Sequence, residues 1–100
     1  MRRVVAFVPD LMDRSRLGHQ PEVQFVGRPE DLVVEAAGAD LVIVDLGRPG
    51  VLEVLPDIAA PTVGFGSHVD RALLQAARAA GCDQVFARSA FFSHLEEILG

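Results

Sequence analysis

Between Asp40 and Leu46 the chain reads Asp-Leu-Val-Ile-Val-Asp-Leu, and no other stretch constrains the fold as strongly. Four consecutive apolar residues, three of them β-branched, stand between two aspartates. A strand buried on both faces of a parallel sheet reads as such an unbroken run, whereas a half-buried strand alternates. The shortness of the run, and the Gly47 and Pro49 that follow it, favour a strand over a helix interior. In an open α/β sheet, ligands and chemistry collect at the carboxyl ends of central strands. Asp45 is placed there.

The rest of the chain fits a frame built around that strand. Val4 to Val8 form a first apolar run, followed by Asp10 and Asp13 in the N-cap and N3 positions of a short helix that stops near Leu17 and Gly18. Val23 to Val26 read as a second strand. Pro29, Glu30 and Asp31 suit the first turn of a helix with Leu32, Val33, Ala36 and Ala37 on its apolar face, ended by Gly38. After Asp45 comes a loop, then one or two helical turns over Val51 to Leu55, interrupted by Pro56. Thr62 to Phe65 form a fourth strand closed by Gly66. The next helix takes Ser67 as cap, Asp70 as N3 acid and Gly81 as its stop, with a stripe of Val69, Ala72, Leu73, Ala76, Ala77 and Ala80. Val85 to Ala87 form the fifth strand, and Ser89 caps a last helix carrying Phe91, Phe92, Leu95, Ile98 and Leu99. Adjacent helical positions point in different directions, so Phe91 or Phe92 is expected to be exposed or at an interface.

Strict alternation of five strands with helices predicts one α/β domain over residues 1–100. Its sheet is a doubly wound, five-stranded parallel one in the order 2-1-3-4-5, with helices on both faces. One rim of that sheet gathers Asp10, Asp45, Gly66-Ser67-His68 and Arg88-Ser89. The composition narrows what such a rim could serve. A net charge of −5 argues against non-specific binding to nucleic acid or to an anionic membrane. The single cysteine, Cys82, allows no internal disulfide and reads as a small core residue. The N-terminal apolar run is too short for a signal peptide and no stretch has the length of a membrane span, which predicts a cytoplasmic protein.

With these motifs in place the chain resembles the receiver domains of two-component response regulators. The resemblance is carried by Asp40 to Leu46, by Arg48-Pro49-Gly50, by Pro61-Thr-Val-Gly-Phe65, and by Ala79-Ala-Gly-Cys-Asp-Gln-Val-Phe-Ala-Arg88. It implies a phosphoryl group on Asp45 and Mg²⁺ held by Asp10 and Asp45. It also sets this chain apart. Pro9 stands beside Asp10 where the family has acids, and Gly66 stands where a Thr or Ser closes the fourth strand, with Ser67 one place later. Arg88 and Ser89 stand where the family has Lys and Pro, and the chain has no Lys at all. An Arg fork does not replace a compact ammonium geometrically.

Each rim residue also has a purely structural reading. Asp45 ends a strand and pairs with Arg88; Asp10, Ser67 and Ser89 cap helices; His68 is solvated, with His19 and His94 too distant in sequence to share a metal. Arg14 and Arg16 beside Asp13 read as a solvated helix face. Three functions follow. The favoured one is a non-enzymatic regulatory or protein-interaction module, receiver-like in fold and not conventionally phosphorylated. Its partner is another protein chain or a second copy docked through the last helices and fifth strand by way of Phe91 or Phe92. The second is a phosphoacceptor using Asp45 with Mg²⁺. The third is a small-ligand or nucleotide-binding domain using Asp10, Asp45, Ser67, His68, Arg88 and Ser89.

Overall fold

A computed structural model describes residues 2–18 and 23–100; His19 falls outside them. Five parallel strands form one sheet: β1 (Val4–Phe7), β2 (Val23–Phe25), β3 (Leu41–Asp45), β4 (Thr62–Gly66) and β5 (Gln84–Ala87). Their order is β2-β1-β3-β4-β5, as the alternation predicts. The central strand pairs Val42 to Val44 with Val5 to Phe7 on one side and with Thr62 to Gly64 on the other.

The period-two pleat sends successive strand residues to opposite faces, and each face carries its own core. Val5, Phe7, Val42 and Val44 pack under α2 (Pro29–Glu35), α3 (Val51–Val54) and α4 (Arg71–Ala79), which contribute Leu32, Val51, Leu74 and Ala77. Val4, Ala6, Ile43, Val63 and Phe65 pack under α1 (Leu11–Leu17), α5 (Arg88–Ser93) and α6 (Leu95–Leu99), which contribute Leu17, Phe91, Phe92 and Ile98. Gly64 lies on the first face, and Leu46 fills the space where its side chain would stand: a Cβ there would lie 2.6 Å from the Leu46 Cδ2.

Several local expectations shift. The apolar stripe of α4 is rotated: Val69 precedes the helix and is exposed, Ala72 and Ala76 face solvent, and Leu74 and Ala77 are the buried pair. Val69 lies outside because the true N-cap is Asp70, whose carboxylate accepts the Leu73 N–H at 3.1 Å, so the helix begins three residues later than a Ser67 cap implies. Its far end is as expected. Gly81 adopts φ +100° and the Cys82 and Gly81 amides donate to Ala77 and Arg78, the paired bonds of a Schellman stop.

The last helix is two helices, α5 and α6, broken at His94. Ser89 does not cap it: α5 begins at Arg88 behind Ala87 with no side-chain cap, and Ser89 sits exposed inside the first turn. Phe91 and Phe92 are both buried, contrary to the expectation that one is free. Phe91 enters the sheet against Phe65 with ring centroids 4.7 Å apart. Phe92 meets Phe65 from the side at 5.4 Å and is roofed by the Arg16 guanidinium at 4.1 Å.

Cys82 is a core residue, its Sγ directed at the Thr62 and Gln84 carbonyls at 3.6 and 3.3 Å. Burial pushes its thiol up to about 11 from an ordinary 9.0. The folded state therefore keeps its proton over a range in which the unfolded chain has lost it, and stability falls as pH rises from about 9 to about 11. Iodoacetamide at pH 8 is expected to label the native protein about a hundredfold more slowly than the urea-unfolded chain. Equal rates would mean that the thiol is accessible.

Candidate functional site

Because the strands are parallel, their carboxyl ends meet on one edge, and the segments after β1, β3 and β5 bring charged residues to it. Asp45 is the last residue of β3 and is buried. Its Oδ1 accepts the Gly47 N–H at 3.1 Å and its Oδ2 the Arg48 Nε–H at 3.2 Å. The Gly47 contact is an Asx-type turn, the local geometry that a strand-ending aspartate favours. Arg48 is the partner that Asp45 takes, not Arg88.

Asp10, beyond β1, is the N-cap of α1: its Oδ1 accepts the Met12 and Asp13 N–H groups at 2.9 and 3.1 Å. The Asp13 amide bond is the foremost cause that holds its carboxyl below the usual carboxylate range. The Met12 amide and the charges of Arg88 and Arg48 act in the same direction, and burial opposes them. Arg88, the first residue of α5, is hydrogen-bonded and ion-paired to Asp13. The hydrogen bond to Asp13 raises the pKa of Arg88, opposed by burial, with the charges of Asp13, Asp45 and Asp10 adding to it. Its guanidinium also lies 5.6 Å from the Phe65 ring and 5.5 Å from that of Phe92.

Asp13 is therefore not part of a solvated face. Its side chain is 2% exposed against 48% for Arg88, and its Oδ2 has no hydrogen-bond partner among the described residues. Arg14 and Arg16 are likewise spent. Arg14 donates through Nε to the Val8 carbonyl at 2.8 Å and lies over Phe25, while Arg16 lies over Phe92. The sequence does contain a signal for Asp13. It stands one turn before Leu17, on the same helix face, and Leu17 is fully buried.

Ser67 and His68 stand apart from this cluster. The Ser67 Oγ accepts the Val69 N–H at 3.4 Å, and His68 is exposed beside Arg71 and Arg78 along α4. A Cβ at Gly66 would lie 3.3 Å from Cδ2 of both Leu73 and Leu74, so a hydroxyl side chain there asks those two leucines to give by a few tenths of an ångström.

The rim thus holds Asp10, Asp13 and Asp45 against Arg48 and Arg88, with each buried carboxylate matched to its own guanidinium. Such an array can hold loops in register and present a nearly neutral surface. Magnesium asks for octahedral oxygen ligands. Asp10 Oδ1 is the helix cap and both Asp45 oxygens are engaged. Among the described residues no three His, Cys, Asp or Glu side chains are grouped to hold a metal ion.

No family model and no curated protein matches the sequence. Solved structures do match. A response regulator from Hahella chejuensis superposes with a TM-score of 0.77 at 21% identity, covering 98% of this chain and 92% of that one. The signal receiver domain of a protein described as a Luxo repressor, from Vibrio parahaemolyticus, gives 0.67 at 18% identity, covering 99% and 88%. The chain has the receiver fold, and at these identities the likeness speaks for the fold alone. No helix among the described residues is long and apolar enough to cross a membrane.

Proposed function

We propose that this chain is a non-enzymatic regulatory or protein-interaction module that keeps the receiver fold and is not conventionally phosphorylated. One observation carries the reading: the groups that phosphoryl transfer would need are already paired with one another. Transfer to a carboxylate depends on a free, positioned nucleophile and on cations aimed at the incoming phosphoryl oxygens. Here Asp45 is held by Gly47 and Arg48, and Arg88 is held by a buried Asp13.

The partner in this reading is another protein chain. Leu11 and Met12, at the start of α1 beside Asp10, are 78% and 79% exposed, and Val69 beyond β4 is 75% exposed. These apolar side chains edge the same rim as the paired charges, an arrangement suited to docking by contact. A homodimer through the last helices and β5 fits the reading only through residues other than Phe91 and Phe92, whose rings are spent in the core.

The test is to add Mg²⁺ and beryllofluoride, a mimic of a bound phosphoryl group, to the ¹⁵N-labelled protein. The amide signals of Asp10, Asp45, Gly66 and Arg88 are expected to stay in place. Saturable shifts at these four would favour the phosphoacceptor reading instead.

A further inference from the structure

A second concave surface lies on the opposite edge of the sheet from Asp45. There the strands begin: Asp40 precedes β3, Pro61 precedes β4 and Gln84 opens β5. Together with α6 these ends enclose a cleft of about 610 Å³. Its volume falls within the range of about 300–1,000 Å³ typical of small-molecule sites.

The cleft owes its shape to the break at His94. The Ser93 Oγ donates to the Ser89 carbonyl at 2.6 Å, and the His94 Nδ1 lies 2.8 Å from the Ala90 carbonyl. Both side chains thus bond back to carbonyls one turn earlier in α5, beside the helical His94 N–H bond to Ala90 at 3.1 Å, a contact that bends helices. The chain leaves helical geometry at His94, with φ −109° and ψ 18°, before α6 begins. Arg2 then fixes the end of α6 by donating to the Leu99 and Ile98 carbonyls at 2.6 and 3.2 Å.

Phe86 and Ile98, both partly exposed, supply apolar wall, and Asp40 and Glu97 supply carboxylates. Asp40 accepts the Arg3 N–H through Oδ2, which leaves Oδ1 without a hydrogen bond among the described residues. Neither Asp40 nor Glu97 forms an ion pair among those residues. The guanidinium of Arg2, the cation in the lining, is turned to the α6 carbonyls. An apolar wall edged by two carboxylates without counter-ions is complementary to a cation on an apolar stem.

We propose that this cleft binds a small organic cation, a primary ammonium or guanidinium carried on an aromatic or branched aliphatic stem. This site is separate from the rim and does not depend on the reading given to Asp45.

The test titrates the ¹⁵N-labelled full chain with 2-phenylethylamine and, separately, with phenylacetate, which keeps the ring and reverses the charge. The amine is expected to move the amides of Gln84, Phe86, His94 and Glu97 saturably at concentrations up to about 10 mM, a range suited to so small a ligand. Phenylacetate is expected to leave them in place. Glu97→Gln, with an otherwise native spectrum, is expected to weaken the amine about fivefold, as for a partly exposed ion pair. The proposal is overturned by no saturable shift, by equal shifts with both probes, or by unchanged affinity in Glu97→Gln. It is overturned as well if the same amides move with protein concentration alone, which would make the cleft an interface between copies.

Discussion

Phe91→Ala is expected to destabilise the domain by about 4 kcal/mol in urea unfolding, the range for deleting a fully buried aromatic ring. Phe91 is completely buried, and its ring meets three others: Phe65 at 4.7 Å, Phe92 at 4.9 Å edge-on, and Phe86 at 6.5 Å. Phe65 and Phe86 belong to β4 and β5 and are held by the strand register, so the cavity cannot close by local collapse. Phe92→Ala is expected to cost less, about 3 kcal/mol, since its ring lies at the edge of the cluster under Arg16 and water can follow into the gap. A Phe91→Ala protein of nearly unchanged stability but altered oligomeric state would return Phe91 to an interface role.

The second large effect lies at the rim. Arg88→Met is expected to cost about 3 kcal/mol, because it strands the buried Asp13 carboxylate without a counter-charge. Half of the Arg88 side chain is exposed, so this figure lies at the lower end of what breaking a fully buried pair costs. Adding Asp13→Leu to Arg88→Met removes the stranded charge as well as its partner. The double variant is expected to return to within about 1 kcal/mol of the parent, since a well-packed apolar pair often equals a buried ion pair. Chemical unfolding of the four proteins gives the coupling directly. Near-neutral behaviour of Arg88→Met alone would contradict the pairing.

The strand framework was legible because it depends on short-range patterns. The unbroken Leu41 to Val44 run, the glycine and proline punctuation and the Asp10 cap are local, and each is found where its pattern places it. The rim's partnerships were not legible, because they depend on which loops a parallel sheet brings together. Asp13 and Arg88 are 75 residues apart and meet only when β1 and β5 put their following helices on the same face. Asp45 instead found the guanidinium three residues along its own loop, a contact that local geometry favours over a distant one. Phe91 and Phe92 misled for another reason. Adjacency on a helix separates two side chains in direction, but a six-residue helix lying on an aromatic cluster buries one ring frontally and the other beneath Arg16 of α1 and the helix's own Arg88.

The intact mass of the protein after incubation with acetyl phosphate and Mg²⁺, beside Asp45→Asn and an ordinary receiver domain as a positive control, tests the central claim most directly. The internally paired rim predicts no phosphate adduct on this chain under conditions where the control is modified. A gain of one phosphate that disappears in Asp45→Asn would contradict it, showing that Asp45 leaves Arg48 and accepts the phosphoryl group without a lysine.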